Sequence, residues 1–171
     1  MPTHINLRYQ ELEEAWKGVE KYQALATQYG YTDIFADNAG KMVQLCVAVG
    51  LDGSSERAGP DGFDRIGNMY EVKTIDLAKK SKGFSTNHHL TTNTIERFRN
   101  RRFIFAVYLG ITLHAAYLIE AEQLEPIFKK WEATLKDKSH INNPKIPVDF
   151  VLQNGVVMYM KDVAPAWAKS K

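Results

Sequence analysis

The chain has 171 residues, of which 44% are hydrophobic and 25% charged, with a formal charge of +2 at pH 7. These are proportions of a globular protein and exclude a disordered or collagenous chain. A single cysteine, Cys46, excludes an intramolecular disulfide and a multi-cysteine zinc site and suits a reducing cytoplasm.

One domain spanning residues 1–171 is expected, large enough to bury roughly two-thirds of its unfolded surface. The N-terminus, Met1-Pro2-Thr3-His4-Ile5-Asn6, has no long apolar stretch. No segment approaches membrane-spanning length, so neither export nor a membrane partner is expected. In chain order, Leu12, Ala15, Trp16, Val19, Tyr22, Leu25, Ala26 and Tyr29 recur at helical spacing, and Gly30 is a natural stop. This amphipathic helix, within residues 1–36, is the candidate dimer surface through Trp16, Tyr22 and Tyr29; burial in the subunit's own core is the competing reading. A second helix is expected from Asp37-Asn38 to Gly50. It carries Cys46 in the run Val43 to Val49, where a cysteine reads as a small buried hydrophobe.

Residues 51–61 are rich in glycine, serine, proline and charge and read as a loop. Gly62 to Arg65, the Ile66-Gly67-Asn68 turn and Met69 to Ile75 then read as a hairpin. Residues 79–92 are polar and irregular. A short helix over Thr94 to Asn100 follows, then strands over Phe103–Tyr108 and Ile111–Tyr117 joined at Leu109-Gly110. A helix is expected over Ala121–Leu135, a loop at Ser139 to Pro147, and strands over Val148–Leu152 and Val156–Met160. The lysine-ended tail, residues 160–171, is expected to fray. This order predicts an α/β (α+β) fold, a mixed β-sheet flanked by helices.

Chemistry concentrates in the hairpin, "GPDGFDRIGNMYEVK". Strand side chains alternate faces, so Glu71 and Lys73 share one side while Val72 turns into a core with Tyr70 and Thr74. Asp61 precedes the neighbouring strand, and the turn can bring it back beside Glu71. Two carboxylates brought together repel unless a cation bridges them, and hard oxygen donors favour magnesium. Such an ion can lower the pKa of bound water and neutralise charge on a phosphoryl oxygen, while Lys73 orients the water or stabilises that charge. The same pattern also describes an exposed hairpin with a surface ion pair, which contributes little. Two basic clusters, Arg97/Arg99/Arg101/Arg102 and Lys79/Lys80/Lys82, read either as solvated surface or as phosphate contacts.

The stretch "PD…EVK" resembles the PD-(D/E)xK nuclease signature. The likeness extends to the PvuII-type restriction endonucleases from about Leu12 to Tyr159, through "EKYQALATQYGYTDIFADNAGK", "YEVKTI", "KGFSTNHH", "RFIFAVYLGI" and "INNPKIPV". The resemblance implies a restriction-endonuclease-like core and a homodimer that cuts double-stranded DNA at CAGCTG, leaving blunt ends. Magnesium would be the cofactor, with manganese able to substitute, and the host would carry a companion DNA methyltransferase. By position it implies Asp61 and Glu71 as metal ligands and Lys73 as the catalytic lysine. Asp37 matches an aspartate reaching the minor groove, His88 and His89 match readers of guanine, and Asn142 and Asn143 match asparagines near the adenine. Imidazole donation to guanine O6 or N7 and an amide on adenine N6 and N7 suit those residue types. Ser85 and Thr86 fit phosphate or water-bridged contacts.

Three positions depart from the family pattern. Asn87 stands first in a row that is otherwise three histidines, Ala58 stands where an acid precedes the catalytic aspartate, and Phe98 replaces a tyrosine. The loop around Lys80 is about one residue longer. These departures bear on metal number and on strictness of reading. They also motivate a second function, a DNA-binding dimer on the same fold that has lost practical catalysis. A repair or resolving nuclease is a third reading, disfavoured by the base-reading residues.

Overall fold

The computed structural model describes residues 7–54, 59–79 and 81–161. Ala58, the neighbourhood of Lys80 and most of the tail, residues 162–171, lie outside the described residues.

Among the described residues there are eight strands and five helices. They are α1 (Leu7–Gln28), α2 (Ala39–Val49), β1 (Asp52–Gly53), β2 (Gly62–Phe63), β3 (Met69–Asp76) and β4 (Gly83–Ser85). Then come α3 (Thr92–Arg99), β5 (Arg102–Leu109), β6 (Thr112–Ile119), α4 (Ala121–Leu135), β7 (Lys145–Pro147), α5 (Val148–Asn154) and β8 (Val156–Met160). Six strands form one mixed sheet in the order β1-β2-β3-β5-β6-β8, and β4 and β7 pair as a separate ribbon. Within the sheet only β3 and β5 are parallel, in register from Tyr70↔Arg102 to Asp76↔Tyr108. The expected α/β architecture is therefore present.

Both faces of the sheet are covered. On one, Ile75, Phe103, Phe105, Val107, Tyr117 and Ile119 pack against Ile95 and Phe98 of α3 and Leu124, Phe128 and Trp131 of α4. On the other, Tyr70, Val72, Ile104, Ala106 and Tyr108 pack against Leu45 and Cys46 of α2. Residues 103 to 108 of β5 are all buried, as in a strand with no solvent face, which is why its sequence lacks alternation. Cys46 is in the core as expected, and its burial pushes the thiol pKa up to about 11.

Four expectations are corrected. The loop expected over residues 51–61 contains strand β1, which pairs with β2. Residues 148–152 form helix α5, not a strand: Pro147 suits a helix start, and Val148, Val151 and Leu152 recur at i, i+3, i+4. Val151 is fully buried against the α3/α4 face. The irregular stretch 79–92 contains strand β4, and the 139–147 loop contains β7. Each has only three residues, and they recognise one another across about sixty positions, a pairing that local pattern cannot reveal.

Helix α2 starts after Asn38 and ends at Gly50, whose backbone N–H reaches Cys46 O at φ 73°. Helix α1 behaves differently from an ordinary core helix. Ala26 is its only fully buried residue among those described, and Tyr22 and Tyr29 are partly buried within the subunit. Residues 8–18 are exposed. No helix among the described residues is long and apolar enough to cross a membrane.

Candidate active site

The hairpin is built by side chains of its own turn. Asp64 Oδ1 accepts from the backbone N–H groups of Ile66 and Asn68 at 3.1 and 2.9 Å, and Oδ2 accepts from the Asn68 amide and the Tyr70 hydroxyl. Asp61 is fixed between strands: its N–H donates to Tyr70 O at 2.9 Å and its carbonyl accepts from Ser54 N at 3.1 Å. Gly62 makes this possible, since a Cβ there would lie 2.9 Å from Asp52 O in β1. Asp61 Oδ2 in turn accepts from Val72 N at 2.7 Å, so the aspartate leans over β3 between Glu71 and Lys73.

Alternation along β3 does what the sequence predicts. Tyr70 and Val72 enter the α2-side core, while Glu71, Lys73 and Ile75 face the other way. Glu71 and Lys73 are nearly buried at 6% and 8% exposure. Lys73 Nζ donates to Glu71 Oε1 at 2.6 Å and sits 5.4 Å from the centroid of the Phe98 ring. An exposed surface pair is thus excluded.

The second Glu71 oxygen, Oε2, accepts from Arg101 Nη1. Arg101 lies just before β5, two residues ahead of Phe103, the register partner of Glu71, so alternation brings it to the same face. The arginine cluster consequently divides. Arg97 and Arg101 line the cleft, Arg102 pairs with Glu120 at 3.0 Å on the opposite face, and Arg99 binds Glu96, Glu125 and Glu132 and ties α3 to α4. No single basic patch exists there. Lys79 and Lys82 are exposed.

Gly59, Asp61, Glu71, Lys73, Asn87, Arg97, Phe98 and Arg101 enclose a cleft of about 280 Å³. Burial raises the Asp61 carboxyl pKa above its ordinary value, and the nearby negative charge of Glu71 raises it further. The Val72 N–H, Lys73 and Arg101 oppose both effects. Two hard carboxylates on one cleft, one of them incompletely compensated, fit a hard divalent cation. Among the described residues no group of three or more histidine, cysteine or acidic side chains is placed to hold a metal. An ion held here by two carboxylates would complete its shell with water and phosphate oxygen, as magnesium commonly does.

The other predicted residues fall into two groups. Asp37, in a left-handed conformation at φ 42°, lines a separate cavity of about 480 Å³ with Tyr31, Asp33 and Asn38. Asp61 borders that cavity too and so joins it to the cleft. Ser85 to His89 and Asn142-Asn143 come together on the β4–β7 ribbon. There Thr86 N and Oγ1 both donate to Pro144 O, Asn143 N donates to Asn87 O at 3.0 Å, and Leu90 bridges Ile141. Ser85, His88, His89 and Asn142 are exposed, and Asn87 lines the cleft with Asp61, Glu71 and Lys73. Asn143 Oδ1 is buried with no partner among the described residues.

Two residues escaped the sequence reading. Arg101 was one of four arginines with nothing local to distinguish it. His140 reads as loop in the sequence, yet its ring meets that of His89 edge-on at 4.6 Å, and its Nδ1 lies 3.1 Å from Ser139 Oγ. Only the ribbon pairing brings it there.

A comparison with known families agrees with the geometry. Residues 7–159 match the family model described as restriction endonuclease PvuII, and restriction endonucleases generally use divalent metal ions to cut double-stranded DNA. With nearly the whole described chain inside that match, this protein belongs to the PvuII restriction endonuclease family and is a type II restriction endonuclease, a site-specific deoxyribonuclease.

Proposed function

We propose that this endonuclease hydrolyses the two central phosphodiesters of CAGCTG, leaving blunt ends, as a homodimer with magnesium at each active site; manganese substitutes. The observation that carries the reading is the joint placement of Asp61, Glu71 and Lys73 in one nearly buried cleft open to a phosphate. Asp61 and Glu71 would hold the ion, which supplies charge neutralisation on the phosphoryl oxygens and an acidified water. Lys73, whose Nζ is bonded to Glu71 and lies 5.4 Å from the Phe98 ring centroid, would orient the attacking water and stabilise developing charge.

Specificity is assigned to the ribbon. His88 and His89 would donate to guanine, and Asn142 and Asn143 would engage adenine. Asn142 is exposed on the ribbon, which supports such a contact, since an accessible amide can pair with adenine N6 and N7. Ser85 and Thr86 would contact phosphate or water, with Asn87 between ribbon and cleft, and Asp37 would face the minor groove. The exposed Tyr9, Leu12 and Trp16 on α1 support a dimer through residues 1–36, a two-fold pair matching a palindrome. Each subunit would be one such domain, and a host methyltransferase would protect the site.

Sequencing the ends of plasmid fragments cut in magnesium tests the reading. Blunt ends flanked by CAG and CTG are expected; ends scattered over many sequences would overturn the specificity assignment. Protection of the site without cutting would favour the non-catalytic binder, for which Phe98 in the cleft is the motivating observation.

A further inference from the structure

Arg101 lines the cleft and makes an ionic contact with Glu71 there. Its side chain is 12% exposed and that of Glu71 is 8% exposed, so both charges are largely out of water. A buried ion is tolerated only where it is paired. Lys73 takes Glu71 Oε1 and Arg101 takes Oε2, so the glutamate is fully compensated before any metal arrives. The cleft as a whole is lined by two carboxylates, Asp61 and Glu71, and three cations, Lys73, Arg97 and Arg101.

This arrangement has a consequence for ion binding. A divalent cation that claims Glu71 Oε2 competes directly with the Arg101 guanidinium for one oxygen. Once released, the guanidinium is a largely buried cation without an acceptor, inside the cleft proposed to admit a phosphodiester. Its planar fork of N–H donors matches phosphate oxygens. We propose that Arg101 has two successive partners: Glu71 Oε2 while the cleft holds no ion, and a non-bridging oxygen of the scissile phosphate once the ion takes that place. Arg101 then couples metal entry to substrate grip. This rests on Asp61 and Glu71 being the ligands of the ion.

Calcium binding to the DNA-free protein, followed by calorimetry, reads the competition without turnover. Arg101→Gln is expected to bind calcium about tenfold more tightly than wild type, because a neighbouring positive charge is removed. Its single-turnover cleavage in saturating magnesium should fall about 10²-fold, the effect of losing one donor to a developing oxyanion. Arg101→Lys keeps the cation and guards against misfolding. It should hold calcium affinity within about threefold of wild type and still lose about tenfold in rate, since an ammonium lacks the fork. If Glu71→Gln abolishes calcium binding while Arg101→Gln changes neither affinity nor rate, the role of Arg101 is overturned and the ion site stands. If Glu71→Gln leaves calcium binding intact, the ion site is misassigned and the Arg101 proposal falls with it.

Discussion

Glu71 stands with one carboxylate oxygen on a lysine and the other on an arginine, nearly out of water. Half of that environment was legible. Period-two alternation put Lys73 beside Glu71, and the Gly67-Asn68 turn brought Asp61 to them, both from residues a short way along the chain. Arg101 was not legible, because its partner is chosen by the parallel register of β3 and β5, thirty residues away. Asn143 tests the ribbon at the same scale. Asn143→Ala is expected to weaken binding of a CAGCTG duplex by about 1–3 kcal/mol, with non-specific binding unchanged. An equal loss on both duplexes in a titration would show that Asn143 reads no base. His89→Ala should give a loss of the same order in the same assay.

Strand β3 organises the elements around the cleft. Its last residue, Asp76, accepts from Gly110 N and Ala78 N, both at 3.0 Å, and lies 3.6 Å from Lys41 Nζ, so it pins the β5–β6 turn and α2 to one point. The Gly110 bond first, then the Ala78 bond and Lys41, hold its carboxyl below the ordinary aspartate range. A depressed folded pKa means stability present above the unfolded value of about 3.9 and lost as pH falls through the folded one. Asp76→Ala should cost about 1–2 kcal/mol at pH 7 by urea unfolding, and the difference from wild type should shrink below about pH 4. A gap independent of pH would contradict the assignment. Phe105, fully buried between Phe84 and Phe103, should cost about 3–5 kcal/mol as Phe105→Ala in the same measurement. The long elements here were readable from local sequence, α1, α2, α4 and β3 through their own period and β5 and β6 through runs of strand-forming residues bounded by the Gly110 turn. The β4–β7 ribbon and α5 were not: three-residue strands have no period to read, and Val148–Leu152 is β-branched and aromatic enough to suggest a strand until Pro147 and tertiary packing decide for a helix.

For the whole molecule the exposed α1 is the feature that a lone subunit leaves unexplained. Residues 8–18 form three turns of helix with Tyr9, Leu12 and Trp16 open to solvent, Trp16 stacked on a still more exposed Phe35 at 6.0 Å. Helices of this kind take their stability from packing. Trp16→Glu is therefore expected to shift the proposed dimer toward monomer in sedimentation and to reduce double-strand cutting more than single-strand nicking. A monomeric wild type that still cuts both strands at once would contradict the assembly. The central claim is that Asp61, Glu71 and Lys73 form one metal-dependent phosphodiesterase centre, and single-turnover cleavage of a CAGCTG duplex by wild type, Asp61→Asn and Lys73→Met is its most direct measurement. Both variants should lose at least about 10³-fold in rate in magnesium while still binding the duplex specifically in calcium. A variant that cuts at the wild-type rate, or a wild type that cuts undiminished in excess chelator, would contradict it.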